Sequence, residues 1–484
     1  MTRTPSDTCL DPQDWTALRT QGHRMLDDMF DHLETLRDRP VWRPQSDAAK
    51  ARLHTSLPSA GTDLAEVHAS FMQDVLPYSS GNSHPGFMGW VQGGGTPVGM
   101  LAELLAAGLN ANLGGRDHMP IEVERQVAEW MRQVFGFPPG ASGLFVTGTS
   151  MANFMAVLIA RTHALGGDVR AKGVVASKPN LVAYAGRTAH GCVARAMDMA
   201  GLGSDALRLI ETDEHDRIDC AALAEAISRD RRAGFKPFMV VGTAGSVDTG
   251  AIDPLSALAD IAAREGLWFH IDGAFGALGM LAADIAPRLA GIERADSLAF
   301  DFHKWGQVPY DAGFLLVRDG GLHRQTFAHG GAYLQRGKRG MAAGDWWPCD
   351  YGPDLSRGFR ALKTWFTLKT YGLDAIGASI SRTCELARAL AQLVEQSPEL
   401  ELLAPVNLNI VCFGLRRPDS DDLIPGIVAD LHEAGRVAPS TTTVRGRLAI
   451  RAAIVNHRTE AEDIEALVTS TLALVRSAGL RLAS

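Results

Sequence analysis

The chain has 484 residues, 46% of them hydrophobic and 21% charged, which is typical of a globular protein with a large buried core. Its 47 basic and 55 acidic residues leave a net charge of −8, and this mild acidity argues against nucleic acid or an anionic membrane as a partner. No apolar run reaches the roughly 20 residues that span a bilayer, and the first residues lack a signal-peptide core, so we expect a cytoplasmic protein without a membrane segment.

Three regions follow one another along the chain. Residues 1–85 look helical and charged, and we predict an N-terminal arm that packs on something larger. Apolar strands alternate with helices over 86–370, which predicts an α/β domain with a mostly parallel sheet and helices on both faces. Residues 371–484 are typical of a small α+β domain. The clearest strand-like segments are 143–146, 237–241, 267–271, 408–413 and 448–455. The six cysteines lack C-x-x-C spacing, which indicates neither a disulfide framework nor a metal site.

The turn over residues 147–153 joins the first of these strands to an apolar helix and could bind a phosphate. Its glycine permits a tight turn, and the hydroxyls of Thr149 and Ser150 can donate to phosphate oxygens. The helix that follows presents unpaired N–H groups and the positive end of its dipole. Helix capping by Thr149 or Ser150 is the competing interpretation, and capping and phosphate binding can coexist.

Two further strand ends carry side chains that could touch a cofactor. His190 follows the apolar segment 181–184, and its imidazole could stack on a ring and exchange protons near neutral pH. Ser246 offers a hydroxyl in a loop before a helix that starts at Pro254. Each residue taken alone is more often structural, so both hypotheses depend on the segments around them.

Two charged residues end buried strands, Asp272 after 267–271 and Lys304 after 297–302. A buried carboxylate is costly unless it is paired, and its partner could be a protonated pyridine nitrogen, an arginine or a helix N-terminus. Burial should lower the pKa of Lys304 and make its neutral, nucleophilic amine accessible near pH 7. A lysine that forms a Schiff base and a carboxylate for the ring nitrogen are what pyridoxal 5′-phosphate requires.

Together these motifs resemble the group II pyridoxal-phosphate-dependent amino-acid decarboxylases, which include the aromatic-L-amino-acid, glutamate, histidine and 2,4-diaminobutyrate decarboxylases. The resemblance rests on Lys304 in His-Lys-Trp, Asp272, His190 after Leu-Val-Ala-Tyr, and the segment His-Pro-Gly-Phe-Met over 84–88, and it covers about residues 20–460. It implies fold type I, the fold of aspartate aminotransferase, and a homodimer whose subunits share the active site.

By that resemblance Lys304 holds the cofactor, Asp272 pairs with its ring nitrogen and His190 stacks on its ring. The remaining cofactor contacts implied are Thr149, Ser150, Ser246, Asp301, His303 and Ser356. Ser356 lies in the segment through which the partner subunit reaches the phosphate. The family often has asparagine where Asp301 stands, and a carboxylate beside a phosphate is unfavourable unless it accepts from a hydroxyl or an N–H.

Tyr333 lies in a glycine-rich loop and resembles the family's mobile-loop tyrosine, which protonates the α-carbon after CO2 has left. The surrounding glycines and charges suit a lid that closes over substrate, although an incidental aromatic in a surface loop is the alternative. The presence of both His190 and Tyr333 favours decarboxylation over the aldehyde-forming branch of the family.

The residues that match the family's substrate pocket point to two substrate classes. The positions that match the family's pocket are Trp90, Val91, Gln92, Asn110, Asn112 and the small-domain Arg451. Trp90, Phe87 and the glycines 93–95, which would leave room, still allow a large ring, and aromatic L-amino acids are the leading substrate class. The pattern of Asn110 and Asn112 is closer to decarboxylases of polar-chain amino acids such as glutamate, aspartate or diaminobutyrate. An aldehyde synthase or another fold type I enzyme is the remaining alternative.

Overall fold

The computed structural model describes residues 9–175, 180–330 and 335–482. The helices are α1 (Trp15–Glu34), α2 (Asp47–Leu53), α3 (Leu64–Asp74), α4 (Pro97–Leu109), α5 (Met119–Val134), α6 (Thr149–Leu165), α7 (Val169–Lys172), α8 (Cys192–Met199), α9 (Cys220–Arg232), α10 (Leu255–Glu265), α11 (Gly320–Phe327), α12 (Arg360–Gln396), α13 (Ile424–Ala434) and α14 (Ala461–Leu482). The strands are β1 (Phe87–Met88), β2 (Ser142–Val146), β3 (Leu181–Gly186), β4 (Leu207–Ile210), β5 (Lys236–Thr243), β6 (Trp268–Asp272), β7 (Ser297–Asp301), β8 (Gly313–Val317), β9 (Leu400–Leu402), β10 (Ile410–Leu415), β11 (Ala438–Val444) and β12 (Arg447–Ala453).

The larger sheet has seven strands in the order β2-β8-β7-β6-β5-β3-β4. Strands β7, β6, β5, β3 and β4 are parallel to one another, and β8 runs antiparallel to both of its neighbours, β7 and β2. Strand β2 therefore points in the same direction as the parallel set. This mixed but mostly parallel sheet confirms the α/β prediction, and it brings the carboxyl ends of β2, β3, β5, β6 and β7 to one edge.

The strands of this sheet are apolar because both of its faces are covered. Along β2 and β7, Phe145 and Phe300 face one hydrophobic core, whereas Leu144, Val146 and Ala299 face the other. The first core includes buried residues of α5, α9 and α10, and the second includes those of α6 and α8. Alternation along each strand thus divides its side chains between two helical layers, as expected for a sheet with helices on both faces.

The smaller sheet has the order β1-β11-β12-β10-β9 and packs against α13, α14 and the second half of α12. It is antiparallel except at its edge, where Phe87 and Met88 pair in parallel with β11. Helix α12 runs across residue 370, and Gly372 interrupts its helical geometry with φ 77°. The predicted domain boundaries near 85 and 370 stay predictions.

The N-terminal arm leaves apolar surface uncovered in the single chain. Helix α1 is capped by the Asp14 carboxylate, which accepts from two backbone N–H groups of its first turn, yet α1 has no buried residue. The side chain of Trp15 on α1 is 62% exposed, and Val67 and Phe71 on α3 are exposed as well. None of the helices in the described ranges is both long enough and apolar enough to cross a membrane.

Candidate active site

The carboxyl edge of the larger sheet collects the charged residues singled out in the sequence. Asp272 and Asp301 are the last residues of β6 and β7, and Lys304 lies in the turn that follows β7. Thr149 begins the helix after β2, and His190 stands just before α8, in the connection from β3. Residues far apart in the chain therefore converge because parallel strands end at the same edge.

Lys304 is held by the carboxylate that ends the preceding strand, β7. Its Nζ lies 2.9 Å from Oδ2 of Asp301, and its side chain is 23% exposed. Burial acts to lower the pKa of the Lys304 amine, but the charge of Asp301, with its hydrogen bond and with the nearby Asp272, outweighs burial and raises the pKa above its ordinary value. The lowered pKa predicted from burial alone is wrong, because the strand that delivers the amine also delivers its counter-charge.

The start of α6 keeps hydrogen-bonding capacity for a ligand. Its N-cap is Gly148, which has no side chain to accept from the first N–H groups of the helix. The alternative that Thr149 or Ser150 caps this helix is therefore wrong. The N–H of Thr149 donates to Oδ1 of Asp301 at 2.7 Å. The hydroxyl of Thr149 is buried and has no hydrogen-bond partner among the described residues, and Ser150 is exposed beside it. An acceptor such as a phosphate oxygen would satisfy this orphaned hydroxyl.

Asp301 meets the condition under which a carboxylate can lie near a phosphate. It accepts from the Thr149 N–H and from Lys304, and Nε2 of His303 lies 3.6 Å from its Oδ2. His303 is fixed in turn, since its Nδ1 accepts from the N–H of Ala312 at 2.9 Å and the ring of Tyr310 lies against it with centroids 4.2 Å apart. Burial lowers the pKa of His303.

Asp272 is buried and surrounded by donors. Its oxygens accept from the side-chain amide of Asn153 at 2.9 Å and from the N–H of Ala274 at 3.1 Å, and the thiol of Cys192 lies 3.9 Å away. Burial raises the pKa of Asp272, and the Asn153 hydrogen bond and the charge of Lys304 act in the opposite direction. In the described part of the chain no arginine pairs with it, which leaves its charge available to a cationic ligand group.

His190 and Ser246 differ in how far their polar atoms are already used in hydrogen bonds within the protein. His190 is exposed, and its Nδ1 accepts from the N–H of Cys192 at 3.2 Å, which orients the ring. Ser246 is buried, and its hydroxyl oxygen already accepts from the N–H of Ala251 at 3.1 Å and lies 3.2 Å from the hydroxyl of Thr249. The structure therefore gives Ser246 a role inside its own loop.

Several of the predicted pocket residues have structural partners of their own. Val91 is buried in the core of the larger domain, and Gln92 is half-buried beside it. Arg451 is buried and donates to the carbonyls of Val247 and Asp248, so it ties the small domain to the loop after β5. Burial lowers the pKa of this guanidinium. The donors of Arg451 are thus largely used by backbone carbonyls.

The glycine-rich segment after Trp90 is packed rather than open. A Cβ atom at Gly93 would overlap the carbonyl oxygens of His303 and Lys304, and one at Gly94 would collide with the amide of Asn456. The expectation that these glycines leave room for a large side chain is wrong at these two positions, because backbone and side-chain atoms of the protein occupy that space. Gly93 instead lets the segment press against the turn that carries Lys304.

Two predicted residues lie apart from this group or outside the described residues. Ser356 is exposed, next to the buried Arg357, and the single chain brings it to none of the residues above. Tyr333 falls outside the described residues.

Sequence reasoning missed Asn153 and Tyr310, which touch Asp272 and His303 respectively. A usable signal existed for Asn153, because it stands four residues after Thr149 on α6 and so lies on the same helical face. Tyr310 carried no such signal, since the loop that returns it to His303 has no regular period.

The fold and the site together define a class of protein. The sheet is mostly parallel, and its carboxyl edge carries a lysine, a buried aspartate without an arginine partner, and an unpaired threonine hydroxyl at a helix N-terminus. These features fit pyridoxal 5′-phosphate bound to an enzyme of fold type I. When bound, this cofactor supplies an electron sink for the carbanion that forms at the substrate's α-carbon.

Comparison with known proteins identifies the family. The family model described as the pyridoxal-dependent decarboxylase conserved domain matches residues 47–416. An aromatic-L-amino-acid decarboxylase of Bacillus atrophaeus is 32% identical over 474 residues, which cover 96% of each chain. A phenylacetaldehyde synthase of Arabidopsis thaliana is 28% identical over 479 residues, covering 95% of this chain and 96% of the relative. The crystal structure of Catharanthus roseus tryptophan decarboxylase in complex with L-tryptophan has the same fold, with a TM-score of 0.85 and 23% identity over 97% of this chain and 100% of that one.

This chain belongs to the pyridoxal-dependent decarboxylase family. Its cofactor is pyridoxal 5′-phosphate, and its reaction is the decarboxylation of an amino acid.

Proposed function

We propose that this decarboxylase acts on an aromatic L-amino acid and releases the corresponding amine and CO2. The Bacillus atrophaeus relative supports this class, because it matches nearly the whole chain and its name states an aromatic substrate. The observation that carries the proposal is that the two asparagines favouring a polar substrate have backbone roles of their own.

Asn110 and Asn112 are each explained without a polar substrate. Asn110 ends α4 in the left-handed conformation, with φ 48°, which asparagine tolerates better than most residues. The side-chain oxygen of Asn112 accepts from the N–H groups of Gly114 and Arg357 at 2.9 and 3.0 Å. Trp90, with 58% of its surface exposed, stands beside the ring of Phe87, three residues before Gly93, which touches the turn of Lys304.

The roles of the site residues form part of the same proposal. Lys304 holds the cofactor, Asp272 pairs with its ring nitrogen, and His190 stacks on its ring. The phosphate is bound by Thr149, Ser150, Asp301 and His303, with Ser356 contributed across the subunit interface. Asp301 keeps its contact with the Thr149 N–H and thereby aligns the start of α6 with the turn of Lys304.

A screen of the free L-amino acids for CO2 release tests the substrate class. We expect phenylalanine, tyrosine, dihydroxyphenylalanine or tryptophan to be turned over, and glutamate, aspartate and diaminobutyrate to be inert. Turnover confined to a polar-chain amino acid would reject the aromatic class. Peroxide and aldehyde are measured in the same samples, because their formation together with CO2 would identify an aldehyde synthase instead.

The role of Lys304 in holding the cofactor is tested with Lys304→Ala, which should abolish the visible absorbance of the bound cofactor. The matched control is Lys369→Ala, an exposed lysine of α12 that packs over the ring of Trp365. The control should keep the absorbance unchanged. An unaltered spectrum in Lys304→Ala would remove this lysine from the site.

Tyr333 is proposed to protonate the α-carbon once CO2 has left. Tyr333→Phe removes only the phenolic hydroxyl, so we expect bound cofactor, slow amine formation and, if oxygen intervenes, some aldehyde. Full turnover without a new product would exclude Tyr333 from the reaction.

A homodimer in the cytoplasm completes the proposal. The exposed apolar side chains of α1 (Trp15, Leu18, Met25 and Phe30) and of α4 (Leu104, Leu105 and Leu109) support a second copy as the partner that covers them. Sedimentation of the holoenzyme should give twice the mass of one chain. Leu18→Glu combined with Phe30→Glu should lower both the dimer fraction and cofactor retention, whereas a wild-type monomer with full activity would refute the shared site.

A further inference from the structure

A line of buried polar side chains runs from the second core of the larger sheet to Asp272. Three side chains of β6, those of Trp268, His270 and Asp272, lie on the same face of the sheet because they are two residues apart. This is the face that α6 covers. Asn153 reaches the same face from α6, and Ser297 reaches it from β7, where it is paired with His270. All five side chains are at most 5% exposed.

Short hydrogen bonds join these five residues into one chain. Trp268 donates its Nε1–H to the Ser297 hydroxyl at 2.8 Å, and that hydroxyl lies 2.8 Å from Nδ1 of His270. Nε2 of His270 lies 2.8 Å from the side-chain oxygen of Asn153, whose amide N–H donates to Asp272 at 2.9 Å.

In its ionised form, Asp272 at the end of this chain sets the direction of every bond. The ionised carboxylate only accepts, so Asn153 turns its N–H toward Asp272 and its oxygen toward His270. His270 must then carry its proton on Nε2, and its Nδ1 must accept the hydroxyl proton of Ser297. Burial lowers the pKa of His270 to about 3, so the ring is neutral and this single tautomer holds at working pH. Every donor therefore points toward Asp272.

We infer that Asn153, His270, Ser297 and Trp268 form a positioning relay, which holds Asp272 ionised and in place for the cofactor's ring nitrogen. Aligned donors polarise one another, and hydrogen bonds to the charged form of a carboxylate favour that form over the neutral acid. A protonated Asp272 could not pair with the protonated ring nitrogen. The relay rests on the proposed function, since it acts through the Asp272 contact assigned there.

The chain contains a second histidine–serine pair that serves as a matched control. His323 is fully buried, and its Nδ1 lies 2.8 Å from the hydroxyl of Ser142, the same distance as in the relay pair. Burial lowers the pKa of His323 to about 3 as well. This pair joins β2 to α11 and contacts neither Asp272 nor Asn153 in the described structure.

The test compares two cofactors on the apoenzyme, pyridoxal 5′-phosphate and its 1-deaza analogue, in which C–H replaces the ring nitrogen. Both carry the same aldehyde and phosphate, so the ratio of their dissociation constants reports the ring-nitrogen contact and cancels general damage to the fold. Binding is followed by absorbance and needs no turnover. The variants are His270→Leu, which breaks the relay, and His270→Gln, which keeps an N–H donor for Asn153.

We expect His270→Leu to reduce the preference for pyridoxal 5′-phosphate about tenfold, the effect of one lost hydrogen bond in a charged network. His270→Gln should restore most of the preference, and His323→Leu should leave it unchanged. Equal weakening of both cofactors by His270→Leu would overturn the relay and leave His270 a packing residue. If His270→Leu does not fold, Ser297→Ala against Ser142→Ala gives the same comparison with a smaller change.

Asp272→Asn separates this inference from the proposed function. Loss of the preference in Asp272→Asn, together with an unchanged preference in the His270 and Ser297 variants, would overturn the relay alone. An unchanged preference in Asp272→Asn would overturn the ring-nitrogen contact itself, and the relay with it.

Discussion

Glu124→Gln should destabilise the chain far more than its conservative chemistry suggests. Glu124 and Arg357 form an ion pair whose side chains are 0% and 1% exposed. The guanidinium donates to the Glu124 carboxylate at 2.6 and 3.0 Å and to the carbonyls of Leu113 and Phe145 at 3.1 and 2.8 Å. Glutamine keeps the shape but removes the charge, which leaves a buried cation without its counter-ion. Breaking such a pair costs about 3–5 kcal/mol. The two carbonyl contacts remain, so we expect about 3 kcal/mol, the lower end of that range.

In the proposed homodimer, the loss should also reach the active site of the partner. The N–H of Arg357 donates to Asn112, and Ser356 precedes it in the segment proposed to reach the partner's cofactor. The assay is urea unfolding of apoenzyme and holoenzyme, followed by cofactor retention. Glu129→Gln on the same helix is the control, because its pair with Arg132 is at the surface and should change the midpoint little. Equal midpoints for the two variants would refute the argument that burial makes the Glu124 pair costly to break.

Two further predictions concern the turn that carries Lys304. Asp301→Asn removes the charge that raises the pKa of Lys304, so more of the amine is neutral at a given pH below that pKa. The rate at which the apoenzyme binds pyridoxal 5′-phosphate should therefore begin to rise with pH at a lower pH than in the wild type. Stopped-flow absorbance across pH 6–9 measures this rate. An unshifted pH profile would show that Asp301 does not set the pKa of Lys304. Gly93→Ala should displace this turn, because its Cβ would overlap the carbonyl oxygens of His303 and Lys304, and decarboxylation should fall at least about tenfold. Gly140→Ala, where a Cβ meets nothing within 4 Å, is the control, and equal activity of the two variants would show that the close approach at Gly93 is not needed.

Much of the fold was predictable because it depends on local pattern. The apolar runs at 143–146 and 267–271 are strands since both faces of the sheet are covered, and this burial makes nearly every residue apolar. The placement of Phe87 and Met88 in the smaller sheet could not be predicted from the sequence. Two residues carry no periodicity, and only pairing with a strand about 350 residues later makes them a strand.

The sequence by itself determined which residues could do the chemistry. A lysine, an aspartate and a glycine-hydroxyl turn at the ends of apolar strands must meet once those strands lie parallel, so Lys304, Asp272 and Thr149 were identifiable from the sequence. Only the tertiary structure decided their electrostatic state. Asp301 raises the pKa of Lys304 where burial alone would lower it, and Asn153 aligns a neutral His270 behind Asp272. These effects act through distances of about 3 Å between side chains on different elements, and no spacing along the chain encodes such a distance.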